Sequence, residues 1–115
     1  MATSPRLALS YLVASQSQKE VTHNEALNDL DCLVQLSVIS NALTTPPTMP
    51  SDGDCYLVAM SATGAWSGKD GCIAVYFSGW RFKTPKAGWI AYLQNLSKFY
   101  VYNGSAWALM GGYVS

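Results

Sequence analysis

The chain has 115 residues, of which half are hydrophobic and only 12% are charged, and its formal net charge at pH 7 is zero. This length allows one domain with a modest core and argues against a large catalytic cleft. The lack of net charge gives no global basic field for capturing nucleic acid, and no apolar stretch approaches the roughly 20 residues of a membrane helix. We therefore expect neither a nucleic acid nor a membrane as partner.

The zero net charge hides two halves of opposite sign. Residues 1–54 carry two basic and six acidic side chains, whereas residues 55–115 carry five basic and one acidic. Opposite halves can attract within one subunit or between neighbouring subunits. The sparse charge also suggests that a partner protein covers part of the apolar surface. Because Ser4, Pro5 and Arg6 interrupt any signal-peptide pattern, we expect synthesis and folding in the cytoplasm.

Residues 1–16 are interpreted as an apolar arm that docks onto another protein. Apolar residues alternate from Leu7 to Tyr11 as in a strand, but no turn follows that would pair this strand locally. The residues expected to make the docking contact are Leu7, Leu9, Tyr11 and Leu12.

Residues 17–43 are predicted to form an amphipathic helix and a short strand. Residues 17–20 and 22–25 are both capping boxes, so the helix starts at one of them. Spacings of three and four residues predict one apolar face, made of Leu27, Leu30, Val34 and Val38. The first three of these are expected to contact other copies of the chain or the β-domain. The opposite side carries Asn24, Asn28, Asp31 and Gln35. Alternation predicts a strand near residues 36–40.

Residues 44–53, TTPPTMPSDG, are rich in proline and read as a linker and turn. Residues 54–115 hold every aromatic residue except Tyr11 and read as an antiparallel β-domain. Short strands between glycine turns are predicted over residues 55–60, 72–77, 80–84, 89–93, 99–102 and 107–110. Ser78-Gly79 and Asn103-Gly104 signal hairpins. The expected fold is α+β: an arm and one helix, then a small antiparallel barrel or sandwich of about six strands.

The residues that carry catalytic or metal chemistry are scattered in this chain. His23 is the only histidine, and the three cysteines show no close pair in sequence, so no zinc or disulfide pattern is present and buried free thiols are expected. Asp29 and Asp31 point to different helix faces and cannot act together on a water molecule or a metal. We therefore predict no catalytic, cofactor or metal site, and no enzyme.

The tryptophans beside the glycine turns are the residues with a second functional interpretation. A flat aromatic ring with nearby polar groups can stack on a sugar, so exposed Trp66, Trp80 and Trp107 would suit a carbohydrate-binding module. A small β-domain also needs large residues to fill its core. The sequence leaves both interpretations open.

Three motifs lie in the N-terminal part of the chain: SPRL at residues 4–7, QxQKxVTxNEAL at 16–27 and LDxLVQ at 30–35. With these motifs, most of the chain resembles an uncharacterised family found in phages, prophages and gene transfer agents of alphaproteobacteria. Further matches are ATGAW at residues 62–66, Gly88-Trp89, and Asn103-Gly104 with Trp107.

The resemblance implies a structural virion protein, because members of that family look like parts of tail fibres and head spikes. On this basis we expect a fibre, spike or tail adaptor or base, located in the virion, that docks onto another virion protein. Homo-oligomers are expected, with a trimer favoured because fibres are commonly threefold. The alternative is a carbohydrate-binding module that attaches the particle to a surface polysaccharide of the host.

Overall fold

The computed structural model describes residues 3–11 and 19–110, with side chains from residue 24 onward in the second range. Helix α1 covers Lys19–Leu33 and is followed by seven short strands. The strands are β1 Ser37–Val38, β2 Cys55–Leu57, β3 Ile73–Tyr76, β4 Trp80–Lys83, β5 Ile90–Leu93, β6 Lys98–Tyr102 and β7 Trp107–Leu109. The α+β prediction is confirmed, and all six strands predicted after residue 54 are present.

The strands after residue 54 form two antiparallel units of three. Strands β2, β3 and β4 form one sheet, and strands β5, β6 and β7 belong to the other, where β1 joins in the order β1-β5-β6-β7. Both predicted hairpins are present, with Tyr76 opposite Trp80 and Tyr102 opposite Trp107. The ring centroids of these two pairs lie 5.2 and 5.3 Å apart in edge-to-face contact. The two hairpins thus have the same design, in which a glycine turn joins two strands and an aromatic pair faces across them.

Residues 36–44, here called the joining segment, bond to both sheets. On one side, Leu36 O accepts the N–H of Tyr92 at 2.9 Å, and β1 runs parallel to β5. On the other side, Ile39 N–H donates to Cys55 O at 2.8 Å. Leu57, Ala59 and Thr63 then donate their N–H groups to residues further along the joining segment. The first half of this segment therefore lies beside strand β5, and the second half lies beside strand β2.

The two sheets pack face to face as a sandwich, and the described strands do not close into a barrel. The core between them holds Val38, Ala91 and Leu93 from the four-stranded sheet, and it also includes Cys32 and Leu36. The three-stranded sheet contributes Cys55, Leu57, Ile73 and Val75 to the same core. Because residues from both halves of the chain share this core, the proline-rich segment 44–53 does not separate two cores.

The other face of the three-stranded sheet is covered as well. A 3₁₀ turn over Gly64–Trp66 places Trp66 in a second core with Tyr56, Val58 and Ala74. The four-stranded sheet receives no such cover on its second face from the described residues. The two sheets therefore differ in how much apolar surface they leave exposed.

Helix α1 confirms the predicted helix, but it is shorter than expected. It begins at Lys19, within the first capping box, and Thr22 of the second box lies inside it. It ends at Leu33, since Gln35 has a φ of +50°, a left-handed conformation that stops helices. Val38 therefore lies in strand β1 instead of continuing the helix.

The apolar face predicted for the helix is not the side that packs on the core. Asp31 and Cys32 are buried, whereas Leu30 and Val34 are exposed and Leu27 is half-buried. The supposed polar side faces the protein because the carboxylate of Asp31 has hydrogen-bond donors there, from the N-terminal residues.

Gly53 offers a test of how tightly the N-terminal residues pack on the β-domain. It has a φ of +95°, and a Cβ atom added to it would lie 2.8 Å from Pro5 Cβ. Gly68 has a similar φ of +79°, but no described heavy atom lies within 4 Å of its added Cβ. Both glycine-to-alanine substitutions place a side chain at a positive φ and so incur backbone strain.

We expect Gly53→Ala to lower the free energy of unfolding by about 1–2 kcal/mol more than Gly68→Ala does, because only the first crowds Pro5. Urea titration followed by circular dichroism measures both values. Equal losses would show that the Pro5 contact does not hold the N-terminal residues in place.

Candidate functional site

Residues 3–11, here called the N-terminal loop, fold into a compact loop rather than an extended arm. Ser4 N–H donates to Leu9 O at 2.9 Å, and an isolated antiparallel bridge joins Thr3 to Ser10. Ala8 turns the chain with a φ of +56°. The expectation that this segment finds no local pairing is therefore wrong, since residues near its two described ends bond to each other.

Asp31 binds this loop to helix α1. Its carboxylate is 2% exposed and accepts the hydroxyl of Ser4 at 2.5 Å. It also accepts two backbone N–H groups, that of Arg6 at 2.9 Å and that of Leu7 at 2.5 Å. Ser4 Oγ in turn accepts the N–H of Leu9 at 2.9 Å. A buried carboxylate needs such donors, and here all of them come from a loop about 25 residues away in sequence.

Arg6 caps the carboxyl end of the same helix. Its Nη1 donates to the backbone oxygens of Asp31 and Cys32, at 3.0 and 2.7 Å. Its Nη2 donates to Gln35 O at 3.0 Å. The last carbonyls of a helix have no partner within it and carry partial negative charge, so a guanidinium is well suited to this position. The helix itself supplies no basic residue in its last turn.

The residues of the arm that were predicted to dock onto another protein differ in exposure. Leu7 is exposed, and Leu9 is half-buried. Tyr11 hydrogen-bonds Asn28 Oδ1 and contacts Phe77 edge to face at 6.4 Å. Burial, with a smaller contribution from Asp31, raises the pKa of Tyr11. Leu12 lies outside the described residues.

The three tryptophans predicted to stack on sugars differ in exposure. Trp66 is 0% exposed, so the expectation that it is exposed is wrong. Trp80 is half-buried and contacts Trp66 edge to face at 5.2 Å, as part of the second core. Trp107 is half-buried, and its Nε1–H donates to Gly71 O at 2.9 Å. Trp107 is the one of these three that lines a groove between described residues.

That groove, here called the hairpin groove, lies between the β6–β7 hairpin and the end of the three-stranded sheet. It has a volume of about 370 Å³. Its lining includes apolar residues together with Asn41, Met60, Asp70, Tyr102, Ser105 and Trp107. The groove thus combines two aromatic rings with amide, hydroxyl and carboxylate groups, a combination that suits a polar ligand with a flat apolar face.

Asp70 forms part of this groove and also holds its neighbouring loop. Its carboxylate accepts the N–H groups of Ala62 and Ser61 at 3.0 and 2.9 Å. These two hydrogen bonds lower the pKa of Asp70 below its ordinary value.

The outer face of the four-stranded sheet is the second candidate surface. Because Ala91 and Leu93 face the core, Ile90 and Tyr92 must point outward. The residues paired with these two continue the same face, which we call the outer sheet face: Ile90, Tyr92, Phe99, Val101 and Ala108. Ile90 and Phe99 are 48% and 53% exposed, and no member of this row is charged. Sequence reasoning missed this surface, although β5 is apolar at all four positions.

The charges of the two halves meet within the subunit. Asp29 forms ion pairs with Arg81 at 3.0 Å and Lys83 at 2.8 Å, which join helix α1 to strand β4. Residues 80–83 also have the mixture of aromatic and basic side chains that binds single-stranded nucleic acid. Here both cations are engaged by the helix.

The described part of the chain holds neither a metal-binding cluster nor a membrane-spanning helix. Within it, no three His, Cys, Asp or Glu residues lie close enough together to hold a metal ion. None of its helices is long and apolar enough to cross a membrane.

Comparison with known proteins identifies the family of the chain. A family described as a protein of unknown function, DUF2793, matches residues 23–108. The chain belongs to the DUF2793 family. No curated protein and no solved structure matches it. The DUF2793 match spans most of helix α1, the joining segment and both sheets, so it includes Asp31, the hairpin groove and the outer sheet face.

Asp31→Ala tests whether the buried carboxylate holds the N-terminal loop. We expect the free energy of unfolding to fall by about 2–4 kcal/mol, because hydrogen bonds from three donors to a charged acceptor are lost. The released loop should also expose the peptide bond after Arg6 to trypsin. Urea titration and limited proteolysis followed by mass spectrometry measure the two effects.

Asp29→Ala is the matched control on the same helix. It removes only part-exposed ion pairs, so we expect a loss of about 0.5–1 kcal/mol and a protected loop. Protection of Arg6 in both variants would contradict the role given to Asp31.

Proposed function

We propose that this DUF2793 chain is a structural protein of a tailed phage or phage-like particle. In this role it forms a fibre, spike or tail adaptor or base, assembles with copies of itself, and docks onto another particle protein. The observation that carries the assembly role is the outer sheet face, an apolar surface that the described residues leave uncovered.

The outer sheet face supports self-assembly because of its apolar, uncharged composition. Cross-strand neighbours Ile90, Val101 and Ala108 form one row, and Tyr92 and Phe99 form the next, with ring centroids 5.0 Å apart. An uncharged apolar sheet surface favours burial against another apolar surface. A second copy of the chain presents such a surface, and the zero net charge of the chain does not oppose association.

The particle context rests on the sequence resemblance described above. The N-terminal motif SPRL has a structural task within the subunit, since Ser4 and Arg6 bind helix α1. Leu7 remains exposed beside them. In the proposal, Leu7 and the exposed helix residues Leu30 and Val34 form the surface that docks onto the neighbouring particle protein.

A carbohydrate-binding role is the second candidate, and the hairpin groove is the observation that favours it. Trp107 is held in place by its bond to Gly71, so its ring is pre-organised. Tyr102 lies next to it at 5.3 Å between ring centroids, and Asn41 provides an amide in the same groove. In this candidate role the groove binds a surface polysaccharide of the host.

Phe99→Glu tests the assembly role. We expect the wild-type chain to have the mass of a homo-oligomer, with three subunits favoured, and the variant to be a monomer with an unchanged circular dichroism spectrum. Burying an unpaired carboxylate costs several kcal/mol, so association should weaken by more than about 100-fold. Size-exclusion chromatography with light scattering measures the mass.

Met49→Glu is the control for adding a charge to an exposed apolar residue. Met49 is 90% exposed and lies in residues 44–53, away from the outer sheet face, so this variant should assemble like the wild type. A wild-type chain that stays monomeric and binds no particle protein would refute the proposal. Normal assembly of Phe99→Glu would exclude the outer sheet face as the interface.

Asn41→Ala and Asn95→Ala together test the carbohydrate-binding role. Asn95 Nδ2 donates to Asn41 Oδ1 at 3.1 Å, so both variants lose this hydrogen bond, but only Asn41 lines the groove. On an array of bacterial polysaccharides, we expect Asn41→Ala to bind about tenfold more weakly and Asn95→Ala to bind normally. No binding by the wild-type chain, or equal binding by all three proteins, would rule this role out.

A further inference from the structure

Two cysteines from distant parts of the sequence meet in the core. Cys32 lies in helix α1 and Cys55 begins strand β2, and their sulfur atoms are 3.0 Å apart. Each residue is 1% exposed. A disulfide needs a sulfur–sulfur distance of about 2.05 Å, so a movement of about 1 Å brings the two into bonding range. We propose that Cys32 and Cys55 form a reversible disulfide that ties helix α1 to strand β2.

The surroundings of the pair favour one thiol as the first to react. The contacts are consistent with a chain in which the Cys32 thiol donates to Cys55 Sγ, and the Cys55 thiol donates to Gly53 O at 3.4 Å. The hydrogen bond to Cys55, together with burial, raises the pKa of Cys32. The same hydrogen bond lowers the pKa of Cys55, against the opposing effect of burial. In the proposal, Cys55 is the thiol that reacts first.

The oxidant in the proposal is a small-molecule disulfide such as oxidised glutathione. The Cys55 thiolate attacks one sulfur of the oxidant, forms a mixed disulfide and releases one glutathione thiolate. Cys32 then loses its proton and attacks Cys55 Sγ, which releases the second glutathione. The two cysteine thiols together lose two electrons and two protons. The oxidised glutathione takes up these electrons and protons and becomes two glutathione thiols. Because both sulfurs are buried, attack requires local opening of the helix against the sheet.

The disulfide would strengthen the connection on which the N-terminal loop depends. It closes a loop over residues 32–55, which contains strand β1 and the whole joining segment. Cys32 is adjacent to Asp31, and its backbone oxygen accepts from Arg6. Closing such a loop restricts the unfolded chain and so stabilises the folded one. The helix end that binds the N-terminal loop would then be fixed covalently to the three-stranded sheet.

The redox conditions that a particle meets would decide when the bond forms. The cytoplasm keeps thiols reduced, whereas the exterior of the cell permits disulfides. On the proposed function, the bond would form after the particle leaves the cell. Only this timing rests on the proposed function, because the formation of the bond is a property of the isolated chain.

The test uses the purified 115-residue chain, incubated overnight with oxidised glutathione or with dithiothreitol. Each sample is then unfolded, alkylated with N-ethylmaleimide and analysed by mass spectrometry. The chain has three cysteines, so we expect three alkylated thiols after reduction and one, at Cys72, after oxidation. Peptide mapping should show Cys32 linked to Cys55. The melting temperature should rise by roughly 5–10 °C and fall again with dithiothreitol.

Two variants control for the third cysteine and for the oxidant. Cys72→Ser should form the same disulfide, whereas Cys55→Ser should keep both remaining thiols and gain no thermal stability on oxidation. Three alkylated thiols after oxidation, a stable glutathione adduct on Cys32 or Cys55, or a linkage through Cys72 would each overturn the inference. If Cys55→Ser does not fold, the peptide map of the wild-type chain decides the question alone. None of these results depends on the oligomeric state or on binding of a polysaccharide.

Discussion

The structure depends on one buried carboxylate, that of Asp31. It lies on the inward side of helix α1, where an uncompensated charge would be strongly destabilising. The N-terminal loop supplies its donors, and the same loop brings Arg6 to the end of the helix. Arg6 therefore binds the last carbonyls where the left-handed Gln35 turns the chain into strand β1. The direction in which the chain enters the β-domain is set by this contact.

The joining segment explains why the two halves of the chain form a single structure. It pairs with β5 through one half and with β2 through the other. Each of these strands begins a three-stranded antiparallel unit, so the joining segment holds two similar units together. The 3₁₀ turn that carries Trp66 covers the second face of the three-stranded sheet, whereas the described residues leave the second face of the four-stranded sheet open. The outer sheet face is exposed because no such turn lies over it among the described residues.

Local signals were sufficient to predict the strands. Ser78-Gly79 and Asn103-Gly104 gave both hairpins correctly, because tight turns need residues that accept positive φ and the chain shows them there. The inward side of the helix could not be found in this way. Asp31 is polar, and its burial is explained only by donors from residues 4–7, which sequence periodicity does not detect.

For the tryptophans too, the local sequence does not show which rings are buried. Trp66 follows a glycine turn, as exposed residues often do, yet Gly64 folds that turn back so that the ring enters the second core. Trp107 also follows a turn but lies at the edge of a groove, because its hairpin ends beside the three-stranded sheet. Neighbouring residues are similar in the two cases, so only the packing of the sheets distinguishes a core ring from a groove ring.

The distribution of charge favours association through apolar surfaces over electrostatic attraction between subunits. The sequence has two halves of opposite sign, which alone would suggest that subunits attract one another electrostatically. Asp29, Arg81 and Lys83 pair within one subunit, and Asp52 accepts the N–H of Ser78 there. These charged side chains therefore already have partners within the subunit. Since the outer sheet face has none, its association would draw on apolar burial, which salt screens little.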